Sequence, residues 1–259
     1  MRRAAPALLL TVALLAAWEA ASAAGLLSPL RFPAPSKLAS SFYELAVEGF
    51  PFGALLGDHA LITLQRVLTG YVLAVLLAVP LGLLIGSSLL LDRMTAPVVA
   101  FCRSVATLSL LPLSLVWFGT GEPQKVFLIF YGCFWVMLSN VIAGIKLVDP
   151  LLLRAARSLD TKPHDIFFRV MLPAALPRIA AGARVALGMG FVVIVGAEMI
   201  GTTMGLGALI MEARTFYRSD ITLVGMACIG AIGFAIAIGL TRLEAWLMPW
   251  QRPSPEKPS

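Results

Sequence analysis

Charged side chains are scarce in this sequence. They make up 13% of the 259 residues, whereas hydrophobic residues make up 59% and the mean hydropathy is +0.90. A soluble domain has about a quarter charged and about half apolar residues. A soluble core of this length has no room for so much apolar surface, so we expect lipid to be the solvent for much of the chain.

Cysteine and histidine are scarcer still. The three cysteines, Cys102, Cys133 and Cys228, stand far apart and show neither disulfide-framework nor metal-ligand spacing. The two histidines, His59 and His164, have no partner spacing for metal or catalytic-triad chemistry. We therefore expect no metal, no cofactor and no enzymatic activity in this chain.

The sequence also lacks a nucleotide-binding fingerprint. Its glycine-rich stretch, residues 201–207, follows no predicted strand and precedes no Lys-Ser or Lys-Thr pair. ATP hydrolysis by the chain itself is therefore excluded. The net charge of +6 comes without a basic stripe of interleaved aromatic residues, so we expect no nucleic-acid partner.

Long uncharged runs dominate what is present. A helix needs about 20 residues to cross the hydrocarbon layer, and it satisfies its own backbone groups there. Pro112 is expected to bend the third run, while Gly82 and Gly86 are expected to let another helix approach the second closely. The sequence predicts an all-α membrane protein with six transmembrane helices, at residues 4–18, 67–85, 104–121, 126–145, 185–197 and 221–240.

Lysine and arginine residues predict the orientation in the membrane. With the N terminus inside, fourteen of the 20 lie on the inner side and six on the outer side, which agrees with the positive-inside bias. Both termini are then cytoplasmic, as is the tail 246–259, and the segment 25–60 is periplasmic. Within that outer segment, the pattern at 36–47 predicts a helix that lies on the surface.

The first 24 residues have two interpretations. Arg2 and Arg3 precede an apolar run, and residues 21–23 resemble a signal-peptide cleavage site. Because the run extends past Trp18 and five further spans follow, we favour a retained first transmembrane helix over a cleaved secretory signal.

A basic loop between two apolar stretches is the most informative polar segment. We call residues 150–177 the inner loop. Its first part predicts a short helix with Arg154, Arg157 and Ser158 on one side. From Ile166 onward apolar residues recur at helical spacing, and Pro173 is expected to stop that second helix. From spacing alone, a docking element for a soluble partner and a plain surface hairpin remain equally good interpretations.

The motifs of the inner loop resemble those of a known family. The run Arg154-Ala155-Ala156-Arg157-Ser158-Leu159-Asp160, followed by Phe167 and Leu172-Pro173-Ala174-Ala175-Leu176-Pro177, resembles the EAA loop of binding-protein-dependent ABC importer permeases. It looks most like the branch that handles sulfonates, taurine and nitrate. Residues 61–71, 111–119 and 197–207 also resemble that branch, in the right order.

This resemblance implies a type I ABC importer permease (MetI-like) fold, with a permease core at residues 61–245. It implies ATP-driven import of a small, anionic solute across the bacterial inner membrane. The implied partners are a second copy of the chain, two ABC ATPase subunits, and a periplasmic or lipid-anchored solute-binding protein. Contact with the ATPase subunits is implied for Arg154, Ala155, Ala156, Arg157, Ser158, Leu159, Asp160, Phe167, Leu172 and Pro173.

Two positions depart from the family pattern. Arg154 stands where the family has Glu, and Asp160 stands where it has a nearly fixed Gly. That glycine is expected to adopt a left-handed turn, which Asp tolerates at a cost of about 1–2 kcal/mol. The turn is therefore expected to survive and to suit a cognate ATPase subunit.

Candidates for solute contact are the polar or amphipathic residues of the spans, since such groups are costly in lipid. They are Trp117, Trp135, Asn140 and Glu198. The alternative is packing for the tryptophans, and an interfacial position or an arginine partner for Glu198. An ion-gradient-driven transporter or channel is the alternative function; it needs coupling charges near the membrane midplane, of which the sequence has almost none.

Overall fold

The structure is a computed structural model, and it describes residues 4–51 and 53–251. Over these residues the chain is helical and forms no strand. Short 3₁₀ segments lie at Thr107–Leu110 and Pro249–Gln251, and a π-helical segment lies at Phe167–Met171. The α-helices are α1 (Ala4–Ala23), α2 (Pro35–Val47), α3 (Leu56–Ser87), α4 (Leu89–Ser104), α5 (Leu111–Phe118), α6 (Glu122–Lys146), α7 (Pro150–Ser158), α8 (Pro163–Ile166), α9 (Leu172–Glu198), α10 (Leu206–Thr215) and α11 (Ser219–Leu247).

Four helical stretches among the described residues are long and apolar enough to cross a membrane. They are α3, α6, Pro163–Glu198 and α11, and each contains one of the predicted spans. A fifth crossing results if α4 and Thr107–Phe118, which meet at an angle of 81°, form one broken span. Within α1, the stretch Leu9–Ala23 is apolar but shorter than these four. The predicted all-α membrane fold is confirmed.

The prediction of a single third span over 104–121 with its bend at Pro112 is wrong. The chain bends at Val105, which takes an extended conformation (φ −69°, ψ 119°) directly after α4. Pro112 lies in the first turn of α5, where a helix does not need the N–H that proline lacks. The bend therefore precedes Pro112 and is not caused by it.

The prediction that Pro173 stops a helix is also wrong. Pro163–Glu198 is one helix of 36 residues that passes through Pro173. Proline normally clashes with the carbonyl four residues before it. Here the π-helical segment ends two residues before Pro173, and the Leu172 N–H donates to the Phe167 carbonyl. This turn is wider than an α-helical turn, so it leaves room for the proline ring.

The described chain divides into two compact units. The first contains Met1–Leu64 and Glu198–Ala231, and the second contains Gln65–Ala197 and Ile232–Ser259. The bounds of α2, in the first unit, confirm the helix predicted at 36–47.

Within the first unit, charged groups hold α2 to the corner between α10 and α11. Arg218 donates hydrogen bonds to both carboxylate oxygens of Glu44, at 3.1 and 2.8 Å. Ser41 is buried and donates to Asp220 at 2.7 Å. The N-terminal end of α2 is held in turn by Glu19 of α1, which accepts hydrogen bonds from Ser36.

Within the second unit, glycines of α3 allow α6 to pack closely. A Cβ atom at Gly82 would lie 2.7 Å from the side chain of Val141, and one at Gly86 would lie 3.0 Å from that of Ile145. The first separation is too short for a real Cβ atom, and the second would require Ile145 to shift slightly. The predicted close approach at these two glycines is confirmed.

Parts of two predictions lie outside the described residues. These are Arg2 and Arg3, which contribute to the predicted orientation, and residues 252–259 of the predicted tail.

Candidate functional site

The inner loop begins with α7, whose start is set by local capping. Asp149 precedes the helix, and its Oδ1 accepts a hydrogen bond from the Leu151 N–H at 2.7 Å. This bond satisfies a donor that has no partner within the helix. Pro150 occupies the first turn, where its missing N–H costs nothing. The helix predicted in the first part of the inner loop is confirmed.

One face of α7 is packed. Leu153 lies against a buried apolar cluster formed by Ile145, Val148 and Ala175, and Ala156 is itself buried. Ala175 belongs to α9, so this face joins α7 to the long helix in which the inner loop ends. The contact fixes the position of α7 through apolar burial rather than through charge.

The rest of the surface of α7, which we call its open face, carries exposed basic and apolar side chains. Arg154, Arg157 and Ser158 are exposed, and neither arginine has an ion-pair partner among the described residues. Leu151 and Leu152 are 63% and 50% exposed. The sequence pattern did not single out these two leucines.

A left-handed turn follows α7. Asp160 has φ 53°, which confirms the conformation expected where the family has glycine. Its N–H donates to the Arg157 carbonyl at 3.1 Å, and the Leu159 N–H donates to the Ala156 carbonyl at 3.3 Å. These bonds close the C-terminal end of α7. Asp is one of the few non-glycine residues that adopt such a turn at modest cost.

The second half of the inner loop borders a cavity of about 510 Å³. Arg157, Thr161 and Phe167 line it, together with Ser87 from the end of α3. Ile166, which also lines the cavity, is 8% exposed. The end of α3 and α8 are therefore neighbours, and Arg157 lies at the edge of the space between them.

The ten residues predicted to contact the ATPase subunits lie in three environments. Ala156 is buried, and Phe167, Leu172 and Pro173 are half-buried in the helix that continues into α9. The exposed members are Arg154, Ala155, Arg157, Ser158, Leu159 and Asp160.

Three of the four residues predicted to contact the solute lie in the second unit. Trp117, at the end of α5, is 58% exposed and packs edge-on against Phe127. Trp135 of α6 is half-buried. Asn140 lies so close to Gly182 that a Cβ there would be 2.4 Å from the Asn140 side chain. Asn140 is therefore in close contact with Gly182, and Trp117 is the most exposed of the three.

The fourth candidate, Glu198, is fully buried in the first unit. Its carboxylate accepts hydrogen bonds from Thr63 Oγ1 and from the Gly207 N–H, all at 2.9 Å. Thr63 Oγ1 in turn accepts a hydrogen bond from the Leu206 N–H at 2.8 Å. Two donors at the start of α10 are therefore satisfied by side chains from elsewhere, and a carboxylate is favourable at this helix end. We call His59, Thr63, Glu198, Gly205, Leu206 and Gly207 the Glu198 hub.

Gly205 and His59 complete this hub. Gly205 has φ 123°, and a Cβ on it would lie 2.4 Å from Cδ of Glu198. The Gly205 N–H donates to Nδ1 of the fully buried His59 at 3.1 Å. Nδ1 also lies 3.0 Å from the Gly205 carbonyl oxygen, and Nε2 lies 3.2 Å from the Phe50 carbonyl oxygen.

Sequence reasoning missed the role of His59 and Thr63. His59 was considered only for metal or catalytic-triad chemistry, and Thr63 only as part of the family motif at residues 61–71. Their partners stand 146 and 135 residues away along the chain, so no local signal marks the contact.

Ion pairs neutralise several charges near the ends of the spans in the second unit. Arg66 is 5% exposed, and its Nε donates to Glu122 at 2.7 Å. Buried or half-buried charges need such partners. The pairs join Arg66 to Glu122, Lys146 to Asp92, and Arg184 to Glu244.

Most of the chain matches one known protein family. Residues 78–253 match the family described as binding-protein-dependent transport system inner membrane component. The chain belongs to this family. It is therefore an ABC importer permease, a multi-pass membrane protein and not an enzyme, and the resemblance found in the sequence motifs is confirmed.

Two relatives match nearly the full length of this permease. The taurine transport system permease protein TauC of Escherichia coli is 35% identical over 238 residues, which cover 92% of this chain and 86% of the relative. The putative aliphatic sulfonates transport permease protein SsuC of Bacillus subtilis is 33% identical, with coverage of 94% and 87%. Both belong to the branch that the motifs indicated.

A solved structure supports the fold of this permease. An inward-facing form of the MetNI methionine ABC transporter superposes with a TM-score of 0.62 at 20% identity, covering 73% of this chain and 94% of the other. At this identity the likeness concerns the fold. The predicted MetI-like permease fold is confirmed.

Proposed function

We propose that this permease forms the membrane pathway of an ATP-driven importer for a small anionic solute, with sulfonates such as taurine as the first candidates. It acts as a homodimer, with two ABC ATPase subunits on the inner side and a periplasmic or lipid-anchored binding protein that delivers the solute. The observation that carries the proposal is the inner loop, in which α7 is packed on one face and presents on its open face two arginines that have no ion-pair partner in the described part of the chain.

The inner loop is suited to transmit movement. Leu153 of α7 packs against a cluster that includes Ala175, and α8 continues without a break into α9. Because packed interiors are nearly incompressible, a push on the open face of α7 acts on α9. Closure of the ATPase subunits on ATP then brings two inner loops together and opens the pathway to the outer side, as a rigid-body change of packed helices.

The names of the relatives support the choice of solute. One is named for taurine transport and the other for aliphatic sulfonate transport. The two solutes share a sulfonate group on a short carbon chain. Nitrate and similar small anions are the next candidates.

The ion pairs support the predicted division of the loops between two sides of the membrane, and the positive-inside bias then places both termini in the cytoplasm of a bacterial inner membrane. Arg66 and Glu122 both belong to the predicted outer side, whereas Lys146 and Asp92 both belong to the inner side. The same holds for Arg218 and Glu44 on the outer side. Each pair joins residues that the positive-inside bias places on one side of the membrane.

Reversal of one charge on the open face of α7 tests the proposal. In Arg157→Glu, we expect ATP-driven taurine uptake by the reconstituted complex to fall about tenfold or more. The substitution reverses the charge of a side chain that we propose to contact an ATPase subunit, and a loss of about 1.4 kcal/mol in that contact corresponds to a factor of ten. Arg93→Glu is the matched control, since Arg93 is an exposed arginine in α4, outside the inner loop. Its uptake should match that of the parent.

Uptake and assembly are measured together in proteoliposomes that contain the ATPase subunits and the binding protein. Normal ATP-driven uptake by Arg157→Glu contradicts the role of the inner loop. Uptake that persists without ATPase subunits, and that an uncoupler abolishes, supports a transporter driven by an ion gradient instead.

A further inference from the structure

The first unit contains a cavity of about 750 Å³ between the end of α1, the linker to α2, and the corner between α10 and α11. Volumes of several hundred Å³ are typical of small-molecule sites. Five residues of the linker that border the cavity, Ser28, Pro29, Leu30, Pro33 and Ala34, lie outside the segment that matches the family profile. The predicted orientation places this cavity on the outer side, where the solute arrives.

Two of the charges that line the cavity cancel each other. Arg218 donates to Asp220 at 2.9–3.1 Å and also to Glu44. The hydrogen bonds to Asp220 and then to Glu44 raise the pKa of the Arg218 guanidinium. Asp220 also accepts a hydrogen bond from Ser41. The carboxylate and the guanidinium are therefore committed to partners within the unit.

One charge in the lining is not cancelled. Lys37 lies in the first turns of α2, is exposed, and has no ion-pair partner among the described residues. Four hydroxyl groups line the same cavity, and none of them has a hydrogen-bond partner within the described part of the chain. They belong to Ser22, Ser28, Tyr217 and Ser219.

We propose that this cavity binds the sulfonate group of the transported solute before it enters the membrane pathway. A sulfonate offers three oxygens that accept hydrogen bonds, which suits one ammonium group surrounded by hydroxyls. Pro29, Leu30 and Pro33 supply an apolar wall for a short carbon chain. The cavity is larger than such a solute and is open to its surroundings, so we expect weak binding. Weak binding suits a site that must release its solute to the membrane pathway. This inference rests on the proposed function for the side of the membrane and the kind of solute.

Direct binding to the permease tests the inference. The permease–ATPase complex, without binding protein, is placed in phosphatidylcholine nanodiscs, and taurine and methanesulfonate are titrated by saturation-transfer NMR. We expect both to bind, and we expect Lys37→Met to weaken both affinities about tenfold, whereas Lys37→Arg stays within about threefold of the parent. Arg31→Met is the control, because Arg31 is an exposed cation of the same linker that does not line the cavity.

Each outcome bears on the inference. Absence of binding to the parent, or equal binding to the parent and Lys37→Met, overturns it. Loss of taurine binding when phosphatidylglycerol is added to the nanodiscs shows that a lipid phosphate occupies the cavity, which also overturns it. If ATP-driven taurine uptake with the binding protein is normal while direct binding is absent, the inference fails and the proposed function stands. If direct binding is seen but the full complex transports no sulfonate, the proposed function fails instead.

Discussion

The Glu198 hub and the inner loop place their polar groups in opposite environments. At the hub, His59, Thr63 and Glu198 are at most 1% exposed, and hydrogen bonds of 2.8–3.1 Å join them to one another or to the backbone. In the inner loop, Arg154 and Arg157 are exposed and lack ion-pair partners among the described residues. Buried polar groups are costly to leave unsatisfied, whereas exposed ones contribute little to stability.

From this contrast we expect the Glu198 hub to contribute mainly to stability and the open face of α7 to contribute mainly to function. A change at the hub removes hydrogen bonds that nothing else can replace, so it should lower the free energy of unfolding. A change on the open face of α7 leaves the fold intact and should alter only what the permease contacts. The predictions below test this division, starting with the largest expected effect on stability.

Gly205→Ala should have the largest effect. The new Cβ would lie 2.4 Å from Cδ of Glu198, on a residue whose φ of 123° already disfavours a side chain. Backbone strain and overpacking each cost about 1–3 kcal/mol, so we expect a loss of about 3 kcal/mol or more. The thermal unfolding midpoint of the detergent-purified protein measures it.

The control for this variant is Gly188→Ala. Gly188 lies within α9, and a Cβ there has no neighbouring atom within 4 Å. Its midpoint should equal or slightly exceed that of the parent, since alanine favours a helix more than glycine does. If both variants unfold alike, the hub is not the rigid element that its hydrogen bonds indicate.

Thr63→Val should have a smaller but clear effect. The substitution keeps the shape of the side chain and removes the hydroxyl that donates to Glu198 and accepts from the Leu206 N–H. Two buried groups lose a partner, which costs about 1–3 kcal/mol. Chemical or thermal unfolding of the purified permease measures the loss.

Thr69→Val is the matched control on the same helix. Thr69 is exposed, and its hydroxyl bonds to the Gln65 carbonyl within α3. We expect a change within about 0.5 kcal/mol. Equal losses for Thr63→Val and Thr69→Val would contradict a specific contribution of the hub.

Asp160→Val should have the smallest effect on unfolding and a clear effect on transport. A β-branched residue is strained at φ 53°, by about 1–2 kcal/mol, and the strain is confined to an exposed turn. We expect weaker hydrogen-exchange protection of α7 and reduced ATP-driven uptake. Asp160→Gly removes the strain and should retain both. Normal uptake by Asp160→Val would show that the transport function does not depend on this turn.

Sequence reasoning succeeded where the relevant contacts are local. The left-handed turn at Asp160 and the short helix before it were predicted, since capping and turn geometry depend on neighbours a few residues away. The close approach at Gly82 was predicted because a glycine pair at four-residue spacing has a direct steric meaning. The errors at the third span and at Pro173 arose where an extended residue or a π turn changes the course of a helix, and neither leaves a clear mark in hydropathy.

The sequence by itself determined that this is a membrane protein. It also determined which stretches form the long apolar helices and which family of permeases the chain belongs to. Hydropathy and short motifs suffice for that, because lipid acts on each stretch separately. Only the tertiary structure decided that Glu198 holds the start of α10 and that Lys37 faces a cavity beside Tyr217 and Ser219. These contacts join residues that are far apart along the chain, and their geometry exists only once the chain has folded.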